Sequence, residues 1–191
     1  MSERSWQDDV GRQVRTLRTI VVALVLGPSV FLMIVLMASL GAPRAESGPS
    51  ALTWVALAVA GLCVVLRLIV PGAVVASARR RILRGQYDPA ARATGARRRQ
   101  LEAFFQRTGD AGRLMIVYMT TTILAGAILE WATFFLLVVC MIDRQVLSLV
   151  VAVALILAIA ALLPWRSRVF AWMESQLRRL DEERQFNPPR E

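Results

Sequence analysis

The chain has 191 residues, 56% of them apolar, with 23 Lys+Arg against 14 Asp+Glu and no histidine. So large an apolar share lies outside the range of soluble domains, and the missing imidazole excludes histidine metal sites and the commonest general base. Both cysteines, Cys63 and Cys140, fall in apolar runs, so they read as small apolar fillers and not as a disulfide framework.

Four runs are long and apolar enough to read as membrane-spanning helices: residues 19–40, 52–76, 114–142 and 146–163. At about 1.5 Å per residue each covers the roughly 30 Å hydrocarbon layer, the fourth barely. In lipid the backbone has to satisfy its own hydrogen bonds, which makes them helices.

In chain order, the N-terminal tail 1–18 carries Arg4, Arg12, Arg15 and Arg18, and the first span follows from Thr19 to Leu40. A cleaved signal peptide is the competing reading of this span, but its apolar stretch exceeds a usual h-region and no clean A-x-A site follows. Pro28 removes a backbone donor, so a kink is expected after Gly27. The loop "GAPRAESGPS" has the composition of a flexible turn.

The second span, Leu52 to Ala76, places small residues Ala56 and Ala60 four apart, a spacing that lets helices approach closely. The segment 77–113 holds two arginine clusters separated by a turn at Tyr87-Asp88-Pro89. From Arg97, the residues Leu101, Phe104, Phe105 and Thr108 recur with helical spacing, predicting a short amphipathic helix on the membrane surface. Its arginines suit anionic lipid headgroups. Nucleic acid is the sharper reading of such clusters, but no recognisable nucleic-acid fold fits so short a segment.

The third span, Leu114 to Ile142, joins the fourth, Val146 to Leu163, through "DRQ", so the two are expected to form a tight antiparallel pair, with Ala154 and Ala158 again four apart. In the tail 164–191, Val169, Met173, Leu177 and Leu180 share one helical face, and Trp165, Phe170 and Trp172 stand near the membrane end. A continuation of the fourth span or an interfacial helix is predicted, ending before Pro188-Pro189. A partner-binding helix is the alternative.

All basic residues are arginine. The two tails and the middle segment hold twenty of them, whereas the other two connections hold only Arg44 and Arg144. By the positive-inside rule both termini and segment 77–113 are cytoplasmic.

Compared with itself at an offset of 103, "TIVVALVLGPSVFLMIV" (19–35) lies against "TILAGAILEWATFFLLV" (122–138), with Thr, Ile, Leu, Phe and Val in step. The second and fourth spans align less well at an offset of 93. Two related helical hairpins would give this pattern, and so would chance matching of apolar sequence. In this alignment Gly27 occupies the position of Glu130.

Two ionisable residues stand inside spans, Arg67 and Glu130. Each costs at least about 2.5–3.5 kcal/mol at a helix centre unless paired, solvated or neutralised. Counted from the outside ends, they lie within about one turn of the same depth. The leading expectation is an Arg67–Glu130 clasp. A neutral Glu130 hydrogen-bonded to Thr120, Thr121, Thr122 or Thr133, and a Glu130 that binds protons or cations in transport, are the alternatives. Arg67 can also snorkel to the nearby cytoplasmic end.

The stretch "TTTILAGAILEWATFFLLVV" resembles the third-helix pattern of small uncharacterised four-helix bacterial membrane proteins, at Thr122, Ile123, Ala127, Glu130, Phe134 and Phe135, with Trp131 where glycine is more usual. That resemblance implies a bacterial membrane protein without an assigned activity. The stretch is also similar to the carboxylate helix of rotor-ring proteolipids, although the glycine-rich partner helix of those proteins is missing.

The expected fold is therefore all-α, an integral membrane four-helix bundle with short cytoplasmic amphipathic helices, in the bacterial inner membrane. Its expected role is structural or interactive, in contact with the bilayer and with a further copy or another membrane protein. Proton or cation transport through Glu130 is the alternative. Ser29, Ser39 and Ser77 have no histidine to activate them, and no nucleophile–base pair, paired carboxylates, phosphate loop or metal cluster is visible. Neither catalysis nor a cofactor is expected.

Overall fold

The structure, a computed structural model, describes residues 3–39, 50–92 and 94–186. The loop carrying Arg44 and the stretch at Pro188-Pro189 lie outside the described residues. Within them the chain is helical without a strand: α1 (Glu3–Ser39), α2 (Ala51–Leu83), a short 3-10 helix (Pro89–Arg92), α3 (Gly95–Asp143), α4 (Val146–Ala160) and α5 (Arg166–Phe186).

Helix α1 begins far ahead of Thr19, because Val10, Val14, Leu17 and Val21 recur at three- and four-residue spacing and are all buried. The N-terminal tail is thus the first part of a long helix. Neither Pro28 in α1 nor Pro71 in α2 ends its helix. Asp88 forms the expected turn by accepting the backbone N–H groups of Ala90 (2.9 Å) and Ala91 (3.3 Å).

The amphipathic helix expected inside 77–113 is part of α3, and the first arginine cluster continues α2. Gly109 interrupts α3 with φ 58° and ψ −134°, a conformation that favours glycine, and so separates the arm 95–108 from the apolar helix that follows. Phe104 and Thr108 are buried on that arm, and a Cβ at Gly112 would come within 2.8 Å of the Phe104 ring.

Three helical stretches, Val10–Ser39, Ala51–Leu83 and Arg98–Asp143, are long and apolar enough to cross a membrane. Helix α4 is apolar but only 15 residues long, about 22 Å, so it falls short of the span expected over 146–163. The reason is Pro164, which has no N–H to donate and disfavours helical geometry at Leu163. Helix α5 is accordingly a separate helix and not a continuation.

The chain divides into two compact units. The first draws on Met1–Leu17, Gly72–Thr121 and Pro164–Glu191. Its core joins Val10 and Val14 of α1, Ala111 and Met115 of α3, and Val169 and Met173 of α5. A second cluster joins Ile82, Leu114 and Leu180, and Tyr118 packs on Trp172 with ring centroids 5.1 Å apart. The apolar face read on α5 is therefore buried against protein.

The second unit draws on Arg18–Pro71 and Thr122–Leu163. Its core holds Val35, Ala56, Ala60, Cys63, Leu129, Leu136, Leu137, Ala152, Leu155 and Ile159. Its outer side is apolar as well: Leu26, Val30, Met37, Leu62, Leu68, Ile142 and Leu157 are all more than half exposed. Only 17% of the most apolar stretch of α1 is buried, against 50% for α3, which makes α3 the more enclosed helix.

Candidate functional site

Glu130 sits on α3 at the margin of its buried face, half-buried, with its carboxylate turned toward α1. A Cβ at Gly27 would stand 3.3 Å from Glu130 Oε1 and 3.6 Å from Phe134 Cζ, so the absent side chain makes room for the carboxylate. One turn further on, Phe31 and Phe134 meet with ring centroids 5.5 Å apart. One turn back, Leu24 lies over Gly126. The contact positions rise together along both helices, so α1 and α3 run parallel here.

The level of Glu130 follows from a contact at the end of α3. Asp143 accepts the hydroxyls of Ser50 and of Thr53 (3.0 Å), while the backbone N–H of Thr53 donates to Ser50 Oγ (3.2 Å). Ser50 is thus the N-cap of α2, and the Asp143 carboxylate completes it at the positive end of the helix dipole. Arg67 lies fourteen positions beyond Thr53, and Glu130 thirteen before Asp143. At about 1.5 Å per residue both are about 20 Å from that end.

Sharing a level does not pair them. Among the described residues no ion pair joins Arg67 to Glu130, and Arg67 is half-buried on the α2 face that also carries Ala56, Ala60 and Cys63. The threonines turn to their own helix. Thr133 is fully buried and donates to Leu129 O (2.7 Å), Thr120 donates to Ile116 O (2.9 Å) and Thr121 to Val117 O (3.0 Å). Such back-bonding to the preceding turn is the usual choice of a threonine in an apolar helix. Thr122 is buried beside Thr121. The structure thus brings Gly27, and neither Arg67 nor a threonine hydroxyl, to Glu130.

No family model, curated protein or solved structure matches the chain. The function of the site is therefore argued from its geometry.

Two residues of this environment escaped the sequence reading. Gly27 was visible only as the counterpart of Glu130 in the self-comparison, which says nothing of contact. Asp143 was counted as part of a connection, although Ser50 directly before an apolar run is a legible N-cap signal. Among the described residues no group of three or more His, Cys, Asp or Glu side chains could hold a metal ion.

Proposed function

We propose that the chain is a multi-pass integral membrane protein whose second unit is embedded in the bilayer as four spans and acts by packing against, or interacting with, other membrane components. The observation that carries this reading is the exposed apolar surface of that unit, far beyond the scattered apolar residues of a soluble protein surface. Helix α4 serves as the fourth span with a locally thinned bilayer, as short hydrophobic segments do.

The parallel course of α1 and α3 supports an arrangement in two related hairpins. Gly27 faces Glu130 and Phe31 faces Phe134, and both pairs are equivalent positions of the self-comparison. The arginine distribution supports cytoplasmic termini in a bacterial inner membrane, with anionic lipid at the clusters Arg79–Arg81 and Arg97–Arg99.

A second reading, proton or cation movement through Glu130, is favoured by one observation: a carboxylate at mid-span level opens toward a glycine and has no ion pair among the described residues. One experiment separates the two. Purified protein in liposomes is expected to give the same proton and cation flux as Glu130→Gln and as empty vesicles. Flux that depends on the carboxylate would replace the first reading by the second.

A further inference from the structure

The junction between α4 and α5 combines three features. Trp165 is 69% exposed. Arg166 lays its guanidinium over α1, where a Cβ at Gly11 would come within 2.9 Å of Nη2. Arg168 stands two positions on, exposed. No carboxylate occurs between Pro164 and Met173, and among the described residues neither Arg166 nor Arg168 takes part in an ion pair or hydrogen bond.

Some other arginines of the same unit are paired. Arg79 meets Glu183 at 2.9 Å, and Asp110 takes both Arg113 (3.1 Å) and Arg184 (2.5 Å). Arg166 and Arg168 thus have no ion-pair partner among the described residues, and the absent side chain of Gly11 leaves room for the Arg166 guanidinium.

We propose that Arg166 and Arg168, with Trp165 beside them, clasp the phosphate of an anionic phospholipid headgroup. The inference deepens the membrane reading and rests on it. Helix α4 ends at Ala160 and five further residues bring the chain to Trp165, so with the bilayer thinned around this short span Trp165 stands at headgroup depth. Tryptophan prefers that depth, with its ring on the acyl boundary and its N–H in the polar layer. Guanidinium matches phosphate with two parallel N–H donors, which a bulk electrostatic attraction does not require.

The test uses the full chain in nanodiscs made from phosphatidylcholine and phosphatidylglycerol, with retained lipid read by native mass spectrometry. The wild type is expected to keep phosphatidylglycerol in preference to phosphatidylcholine. Arg166→Gln/Arg168→Gln is expected to lower that preference about threefold or more, whereas Arg178→Gln/Arg179→Gln, an equal loss of charge elsewhere on α5, leaves it unchanged. Gly11→Leu keeps every arginine but displaces the Arg166 guanidinium, and is expected to lower the preference as well. Equal losses from the two arginine pairs, or no effect of Gly11→Leu, would overturn the clasp. Displacement of the lipid by inorganic phosphate would overturn its assignment to lipid. A wild type that enters nanodiscs without any lipid preference defeats this inference alone; one that washes off membranes in alkaline carbonate defeats the membrane reading beneath it.

Discussion

The two units follow opposite rules for their surfaces. In the first, apolar side chains are buried and arginines and carboxylates lie outside, some of them paired, as in any soluble helical domain. In the second, apolar side chains occupy the core and the outer side alike, and its few charges include one carboxylate facing a glycine and one spent on capping a helix. Helix α1 makes the change within a single element. Its buried stripe Val10, Val14, Leu17, Val21 and Val35 is apolar throughout, whereas its other residues pass from Arg12, Arg15 and Arg18 to Val22, Leu26, Val30 and Met33. A helix therefore keeps one packing code and changes solvent by changing only its outward residues.

The comparison breaks most visibly through the cores. Met173 is fully buried on α5, and Met173→Ala is expected to destabilise the first unit by about 2–5 kcal/mol, measured as a loss of protection from proteolysis near α5 while membrane integration persists. Loss of integration instead would mean that the surface contrast does not mark separate roles.

A charge placed on the outer side distinguishes the units next. Leu26→Arg should cost insertion about 2.5–3.5 kcal/mol, seen as a lower membrane-integrated fraction. Arg12→Gln, on the other side of the change in α1, should not alter it. Equal integration of wild type and Leu26→Arg would show that Leu26 meets no hydrocarbon.

The smallest effect expected is that of the Arg79–Glu183 pair, whose side chains are 24% and 36% exposed. A double-mutant cycle with Arg79→Gln and Glu183→Gln should give a coupling of about 0–1 kcal/mol that fades with added salt. A larger, salt-insensitive coupling would mean that the first unit holds α5 by charge more than by its apolar face.

Much of this was legible without coordinates, for physical reasons that can be named. Helix over the apolar runs follows from the need to satisfy the backbone, and the faces at Phe104/Thr108 and at Val169/Met173/Leu180 follow from helical periodicity. What those faces touch did not follow. The α5 face suits a bilayer surface and a protein core equally well, since both reward the burial of the same atoms. The pairing of Arg67 with Glu130 was inferred from depth along two helices, but depth leaves rotation about each helix free. Arg67 lies on the Ala56/Ala60/Cys63 face of α2 and Glu130 on the α1 side of α3. Gly109 sits in the run Thr108-Gly109-Asp110, composed like a turn, and it interrupts α3 between the arm 95–108 and the apolar helix.

By itself the sequence determined the class of structure and the place of its apolar helices along the chain, because hydrophobicity and hydrogen-bond satisfaction act locally and repeat at every residue. The tertiary structure alone decided that Glu130 meets Gly27, that Asp143 caps α2, and that Arg166 rests on Gly11. Those contacts join residues many positions apart, and which of them form depends on how each helix is rotated against its neighbours, a choice that packing makes only once all the helices are present.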